Sequence, residues 1–171
     1  KTIALIIIMA LAAIGASWYQ LHQHGGTTLY DAADYYERLF WGGGHILQFA
    51  YTQLLLLIWL RLASILNVGK FPSSRMVIGL YSLQLLIVMA TPLAYWRYDI
   101  TSYEHIQFFT QQMRHGGGIA AILLGGWIIL RLVLSRPASS KESTALHWSL
   151  LLFGVGGVLG YMITESNTII P

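Results

Sequence analysis

The most informative stretch of this chain is ERLFWGGGHILQFAYTQLLLLIWLRL, from Glu37 to Leu62. Its apolar run is long enough to cross a bilayer as a helix, which takes about 20 residues. It contains one histidine, His45, directly after three glycines at 42–44. A lone imidazole inside an apolar helix is costly unless something binds it, so His45 marks a candidate functional site. The glycines leave a bare surface that a planar group or another helix can approach closely.

The neighbours of His45 extend this candidate site. Gln48 and Thr52 follow three and seven residues later, so they share its helical face. Trp41, one turn earlier, lies close to that face, and Gly44 directly precedes the histidine. Two interpretations stay open. His45 is a metal ligand or the neighbour of a heme, with Trp41 and Gly44 beside the cofactor, or it is a neutral histidine bonded to a carbonyl of the next helix.

The composition indicates a polytopic integral membrane protein. The chain has 171 residues, of which 56% are hydrophobic and only 10% charged, whereas soluble domains have about 25% charged residues. We expect a single all-α region over residues 1–171 that is a segment of a longer subunit, with transmembrane spans at about 3–19, 39–60, 76–96, 116–134 and 148–163. The absence of cysteine excludes disulfides and thiolate metal sites. The basic residues lie at span ends rather than in a patch, so no nucleic-acid partner is expected.

The charges predict an orientation with the N-terminus in the cytoplasm and the C-terminus outside, in a bacterial-type inner membrane. Seven basic residues then lie inside, against three outside, which follows the positive-inside rule. The inner residues are Lys1, Arg61, Lys70, Arg75, Arg131, Arg136 and Lys141, and the outer ones are Arg38, Arg97 and Arg114. The segments 20–36 and 97–115 are predicted outer loops. His105, in the second of these loops, is a second candidate metal ligand.

Polar side chains inside the second and third spans offer a hydrogen-bonded path for protons: Gln48, Tyr51, Thr52, Tyr81 and Gln84. The alternative is interhelical hydrogen bonding, which such residues commonly supply in bundles. A G-x-x-x-G motif at residues 156–160 predicts a helix-packing surface. No Asp, Glu, Lys or Arg is expected in mid-membrane, which argues against a proton-coupled transporter.

The segment FWGGGHILQF resembles the copper-ligand helix in the catalytic subunit of heme-copper oxidases. That group includes cytochrome oxidase subunit I and the large subunit of nitric oxide reductases, and the likeness is strongest to divergent cbb-type members. In that family the sixth helix enters from the outer side and provides one His ligand to the copper, or non-heme iron, that faces the high-spin heme. The resemblance implies this role for His45 and makes the five spans the fifth to ninth of twelve helices.

The resemblance also implies cofactors, partners and a reaction. A heme of b type or similar would have its axial ligands outside this segment, because the closing ESNTIIP at 165–171 resembles the approach to the tenth helix, which bears the family's His-x-His pair. The implied reaction is the reduction of oxygen or nitric oxide. Electrons would come from a cytochrome c or cupredoxin on the outer side, through other subunits of a respiratory complex in the lipid bilayer.

Two departures from the family pattern support an alternative function. Leu93 and Ala94 stand where the family has an adjacent His pair, and Phe49 stands where many members have a reactive Tyr or Glu. One imidazole holds a divalent metal poorly, since such sites usually have three or four ligands. Either His45, His105 and a further ligand cooperate, or the second metal has been lost. The alternative is a non-catalytic structural or assembly subunit of a membrane complex.

Overall fold

Runs of Leu, Ile, Ala and Val make each long segment of this chain helical. The computed structural model describes residues 1–26 and 29–165, apart from the side chains at 161 and 163–165. The predicted approach to a tenth helix, at 165–171, therefore lies outside the described residues except for the backbone of its first residue. The helices are α1 (Thr2–Gln23), α2 (Ala32–Ile65), α3 (Ser74–Val88), α4 (Thr91–Arg97), α5 (Tyr103–Gln112), α6 (Gly118–Ser135) and α7 (Lys141–Glu165). The described residues contain no strand, so the predicted all-α class is confirmed.

Five helical segments are long and apolar enough to cross a membrane, which confirms the predicted transmembrane architecture. They cover Thr2–Gln23, Ala32–Ile65, Ser74–Arg97, Tyr103–Ser135 and Lys141–Gly160. These five segments are longer than the predicted spans. α2 alone has 34 residues, or about 51 Å at 1.5 Å per residue, compared with a hydrocarbon layer of about 30 Å. It therefore tilts or extends beyond that layer.

The predicted outer loop at 97–115 is wrong for most of its length. Ser102 caps α5, because its side chain accepts a hydrogen bond of 3.2 Å from the backbone N–H of His105. Glu104 places a negative charge in the first turn, where the helix dipole favours it. A π-helical turn at Met113–Gly117 then joins α5 to α6. His105 consequently lies in a helix and not in a solvated loop.

The predicted outer loop at 20–36 is also shorter than expected. α1 continues to Gln23, and α2 begins at Ala32. The Asp31 side chain accepts a hydrogen bond of 2.8 Å from the backbone N–H of Asp34, which satisfies a free donor at the start of α2.

Pro92 breaks the third membrane-length segment. It lies in the first turn of α4, directly after the interruption between α3 and α4. Proline has no backbone N–H and cannot continue the hydrogen-bond ladder of α3.

The described chain forms two compact units. Unit 1 comprises Lys1–Leu54 and Ser74–Ala120. Its core depends on small residues that let the helices approach: a Cβ atom added at Gly43 would lie 2.9 Å from the Ala10 carbonyl oxygen of α1 and in contact with Ile14. The buried core consists of Ile6, Ala10, Ala13, Ile46, Phe49, Ala50, Val88, Ala94 and Phe109.

Unit 2 comprises Leu55–Ser73 and Ala121–Pro171. Trp59 is its buried anchor, with an indole N–H that donates to Ser149 at 2.9 Å and a ring edge-on to Phe153 at 5.3 Å. Gly125 provides the space beside that indole, since an added Cβ would lie 3.2 Å from it. By contrast, no described atom lies within 4 Å of a Cβ added at Gly156 or Gly160. The described residues therefore provide no partner for the predicted packing motif.

Candidate cofactor site at His45

His45 presents a bare ring nitrogen. It is half-buried on α2, and its Nδ1 lies 2.8 Å from the backbone carbonyl oxygen of Trp41, one turn earlier. A carbonyl only accepts hydrogen bonds, so Nδ1 is the nitrogen that carries the proton and a neutral ring has its lone pair on Nε2. Nε2 has no hydrogen-bond partner among the described residues. Metal-ligating histidines commonly have this arrangement, with one nitrogen donating to a carbonyl and the other free to bind.

The three glycines before His45 have different surroundings. A Cβ added at Gly42 would meet the Tyr95 hydroxyl and would lie 2.8 Å from the Phe109 ring. A Cβ added at Gly43 would likewise meet atoms of α1. Gly44 has no described atom within 4 Å of an added Cβ. Two of the glycines therefore serve packing within unit 1, and Gly44 alone leaves a bare surface next to the imidazole.

Trp41 is held in place from two sides. Its ring centroid lies 4.6 Å from that of His45, at an angle of 39°. Its indole N–H donates to the Ile106 carbonyl oxygen at 3.3 Å. Trp41 also lines a cavity of about 60 Å³, whereas sites for drug-sized ligands have about 300–1,000 Å³. A porphyrin does not fit this cavity, so a heme near His45 would have to lie on the exposed side of α2.

His105, the second predicted metal ligand, is deeply buried. It is 1% exposed, and neither ring nitrogen has a hydrogen-bond partner in the described structure. Its ring packs against Tyr95 and Phe109, with centroids 4.9 Å and 5.1 Å away. It shares the small cavity with Trp41, but His45 is not among the lining residues. In the part of the chain that the structure describes, no three His, Asp or Glu side chains are placed to hold a metal ion.

Leu93 and Ala94, which the predicted resemblance aligns with the His pair of heme-copper oxidases, are both apolar, and one is exposed while the other is buried. Leu93 is 57% exposed, and Ala94 is fully buried in the core of unit 1. Tyr95, the next residue, fills the space beside Gly42 and hydrogen-bonds to Ser17 at 2.9 Å. The segment thus packs helices together where the family would place two ligands.

The five residues of the predicted proton path are not joined to one another through their side chains. Gln48 and Tyr51 are exposed. The Thr52 hydroxyl donates to the Gln48 carbonyl oxygen of its own helix at 2.8 Å. The Tyr81 hydroxyl donates to the Gln53 carbonyl oxygen at 3.0 Å, and the Gln84 amide donates to the Gly117 carbonyl oxygen at 3.2 Å. The bonds of Tyr81 and Gln84 hold helical segments together, and the proton path stays a prediction.

Gln53 and Tyr95 are the important polar residues that the predicted site leaves out. Gln53 is fully buried and accepts a hydrogen bond of 2.8 Å from the Thr2 hydroxyl, while its amide donates to the Tyr81 carbonyl oxygen at 3.2 Å. Its sequence signal is a glutamine inside an apolar run. Tyr95 has no such signal, because an aromatic residue near a span end also fits an interfacial anchor.

A charged contact closes one end of unit 1. His24 Nε2 lies 2.7 Å from an Asp99 carboxylate oxygen, and Thr101 donates to Asp99 from its backbone and its hydroxyl. Partial burial raises the pKa of the Asp99 carboxyl, but the hydrogen bonds from Thr101 and His24 outweigh it and lower the pKa below its ordinary value. Asp99 therefore stays ionised and joins the ends of α1 and α4.

Five apolar helices of membrane-crossing length define a polytopic, all-helical integral membrane protein. An uncharacterized protein of Rickettsia prowazekii (strain Madrid E) is 28% identical, in an alignment that covers 98% of this chain and 38% of that protein. An uncharacterized protein of Aquifex aeolicus (strain VF5) is 31% identical, over 81% of this chain and 33% of that protein. The chain thus spans less than two-fifths of the length of either relative. No protein-family model and no solved structure matches it.

Proposed function

We propose that this chain is the middle part of a heme-copper-oxidase-like catalytic subunit in a respiratory membrane complex. The subunit would reduce oxygen or nitric oxide with electrons from a cytochrome c or cupredoxin. The observation that supports this proposal is the free Nε2 of His45, next to the bare surface of Gly44. Both relatives are more than twice as long as this chain, so in a protein of that length other segments would provide the axial heme ligands.

The described residues fit one part of such a site. His45 would donate the lone pair of Nε2 to a metal ion, or face a heme, while its Nδ1–H bond to Trp41 fixes the ring orientation. Trp41 keeps that ring in place through its own bond to α5. Gly44 lets a flat group approach α2 without a side chain in the way. A heme supplies the redox chemistry when bound, and the protein supplies orientation and exclusion of water.

The orientation belongs to this proposal. The N-terminus of the segment would face the cytoplasm of a bacterial-type inner membrane, as the seven-to-three distribution of basic residues favours. In unit 1 the bonds of His24 to Asp99 and of Arg38 to the Thr101 carbonyl oxygen gather residues that the charge rule assigns to the outer side. This grouping supports the proposed topology, because antiparallel spans bring alternate loops to one side.

Substitution of His45 tests the proposal in the full-length protein. His45→Ala is expected to shift the optical spectrum of the bound heme and to lower turnover at least tenfold, while the complex still assembles. Gly44→Ala should shift the same spectrum with unchanged assembly, because the added methyl meets nothing in this segment. Gly79→Ala, at a glycine of α3 that is also free of contacts, is the matched control and should leave the spectrum unchanged.

A second function is favoured by a specific observation. The space beside Gly42 and Gly43 is occupied by other residues of this chain, and the described residues offer no three-ligand metal group. We therefore keep a non-catalytic structural or assembly subunit as the alternative. It predicts that His45→Ala leaves spectra and turnover unchanged but alters assembly, which is the opposite of the result expected from the oxidase-like function.

A further inference from the structure

Arg131 is a basic residue of unit 2 whose guanidinium is fixed in place but only partly used. It lies in the last turn of α6, and its Nε–H donates to the Val68 carbonyl oxygen, just after the end of α2, at 2.9 Å. The N–H groups of its two terminal nitrogens make no hydrogen bond to a described residue. A fixed guanidinium with unused donors is well suited to bind a phosphate group through two N–H groups at once.

Gly69 lets this guanidinium lie directly against the turn that follows α2. A Cβ added at Gly69 would overlap a terminal nitrogen of Arg131, and the backbone φ of 100° favours glycine at this position. Lys70 comes next, with its Cα about 3.8 Å from that of Gly69. The Lys70 side chain is exposed and forms no ion pair with a described residue. Because its stem is long and flexible, the Lys70 ammonium can reach an anion that is bound at Arg131.

An aromatic pair lies beside the two basic residues, nearer the middle of α6. Trp127 is four residues before Arg131, so it lies on the adjacent turn, about 6 Å further along the helix axis. Its ring packs against that of Phe71, with centroids 5.5 Å apart, and Phe71 is 43% exposed. One turn further still, Leu123 is 48% exposed. Charged, aromatic and aliphatic side chains thus follow one another as the headgroup, interface and acyl chains do in a lipid leaflet.

The charges at this end of unit 2 are almost all positive. The bond of Arg131 to Val68 joins the ends of α2 and α6, and only residues 136–140 separate α6 from α7. The acidic residues of the unit are Glu142, at this end, and Glu165, at the other end of α7. An anionic partner therefore complements this end. Its basic residues are Arg61, Lys70, Arg131, Arg136 and Lys141.

We propose that this end of unit 2 binds an anionic phospholipid, with Arg131 and Lys70 on the phosphodiester and the Phe71–Trp127 pair against the glycerol and upper acyl chains. The bond to Val68 holds the guanidinium in position before the lipid arrives, which lowers the entropy lost on binding. A free phosphate ion has no apolar part to cover the exposed aromatic pair, whereas a lipid has one. This site does not depend on the proposed oxidase-like function.

The test is native mass spectrometry of the full-length protein in detergent, titrated with phosphatidylglycerol or with phosphatidylcholine of the same acyl chains. We expect the anionic lipid to bind at least about fivefold more tightly, because one phosphatidylglycerol carries the net charge that the basic residues complement. Equal affinity for the two lipids would overturn the proposal. Release of bound phosphatidylglycerol by inorganic phosphate, but not by chloride at the same ionic strength, would make a free anion the ligand and would also overturn it.

Matched substitutions locate the site. Lys70→Gln and Arg131→Gln should each weaken phosphatidylglycerol binding about fivefold, which corresponds to about 1 kcal/mol for one basic residue near an anionic lipid. Lys141→Gln and Arg136→Gln remove the same charges from exposed positions at the same end of unit 2 and should change the affinity by less than about twofold. Lys70 is exposed and makes no hydrogen bond or ion pair to a described residue, so Lys70→Gln decides the test even where Arg131→Gln disturbs the packing. Equal losses in all four variants would indicate a diffuse basic surface and would overturn the proposed site.

Discussion

Gly42→Ala tests how α2 packs against α4 and α5. The added methyl would meet the Tyr95 hydroxyl and would lie 2.8 and 2.9 Å from two Phe109 ring atoms. Phe109 is fully buried and cannot move aside freely. Overpacking of this kind costs about 1–3 kcal/mol. Gly79→Ala is the matched control, because no described atom lies within 4 Å of its added methyl.

The comparison isolates packing from helix propensity. Both substitutions replace a helical glycine with alanine and gain up to about 1 kcal/mol from propensity. This gain cancels in the difference, so Gly42→Ala should be less stable than Gly79→Ala by about 1–3 kcal/mol. The assay is unfolding of the full-length protein in one detergent, followed by helical circular dichroism. Equal stability of the two variants would refute the close contact of α2 with Tyr95 and Phe109.

A double variant locates the clash. Tyr95→Phe removes the hydroxyl that lies nearest to the added methyl. Added to Gly42→Ala, it should recover part of the lost stability, although Tyr95→Phe alone destabilises by removing the bond to Ser17. Such non-additivity is expected for neighbouring residues and not for distant, independent sites. Strictly additive effects would place Tyr95 away from Gly42.

Three further predictions concern polar contacts and the unit 2 anchor. Asp99→Asn should lower the free energy of unfolding at neutral pH but not in acid. Because the folded-state pKa of Asp99 lies below its ordinary value of 3.8, its carboxylate stabilises the fold above that value, and this stabilisation is lost as the pH falls through the lowered pKa. A stability advantage of the wild type that persists in strong acid would contradict this. Gln53→Leu leaves its hydrogen-bond partners unsatisfied and should lower the free energy of unfolding by about 1–3 kcal/mol. Gln48→Leu, at an exposed position of the same helix, should cause no such loss, and the denaturant midpoints of the two variants measure the difference. Trp59→Ala should cost about 3–5 kcal/mol because the indole is 1% exposed; a loss below about 1 kcal/mol would show that it is not the anchor.

The lengths of the apolar runs are enough to predict the membrane-length helical segments, but not the interruptions within them. Each of the five predicted spans overlaps one of the five membrane-length helical segments. α5 was predicted as a loop because Tyr103–Gln112 contains many polar residues. Its helical state depends on the Ser102 cap and on burial of His105 and Phe109, and the latter is a tertiary effect. Polar composition alone therefore gave the wrong local structure.

The position of His45 was predictable, but its tertiary surroundings were not. The sequence places the imidazole on one face of α2, and the local bond to Trp41 follows from helix geometry, because residues four apart lie on adjacent turns. Which glycine stays bare depends on the register of α1, α4 and α5 against α2, and no local pattern specifies that register. The same holds for the two glutamines of α2. Gln48 and Gln53 lie about 140° apart around the helix, and only the packing determines which is buried.

We propose above all that His45 faces a heme in the intact protein. The most direct measurement is the heme content, with the iron and copper content, of the full-length complex purified from its membrane. We expect at least one heme per complex, with an optical spectrum that changes in His45→Ala. A complete, assembled complex without heme would contradict it and leave a helical membrane subunit whose glycines serve packing alone.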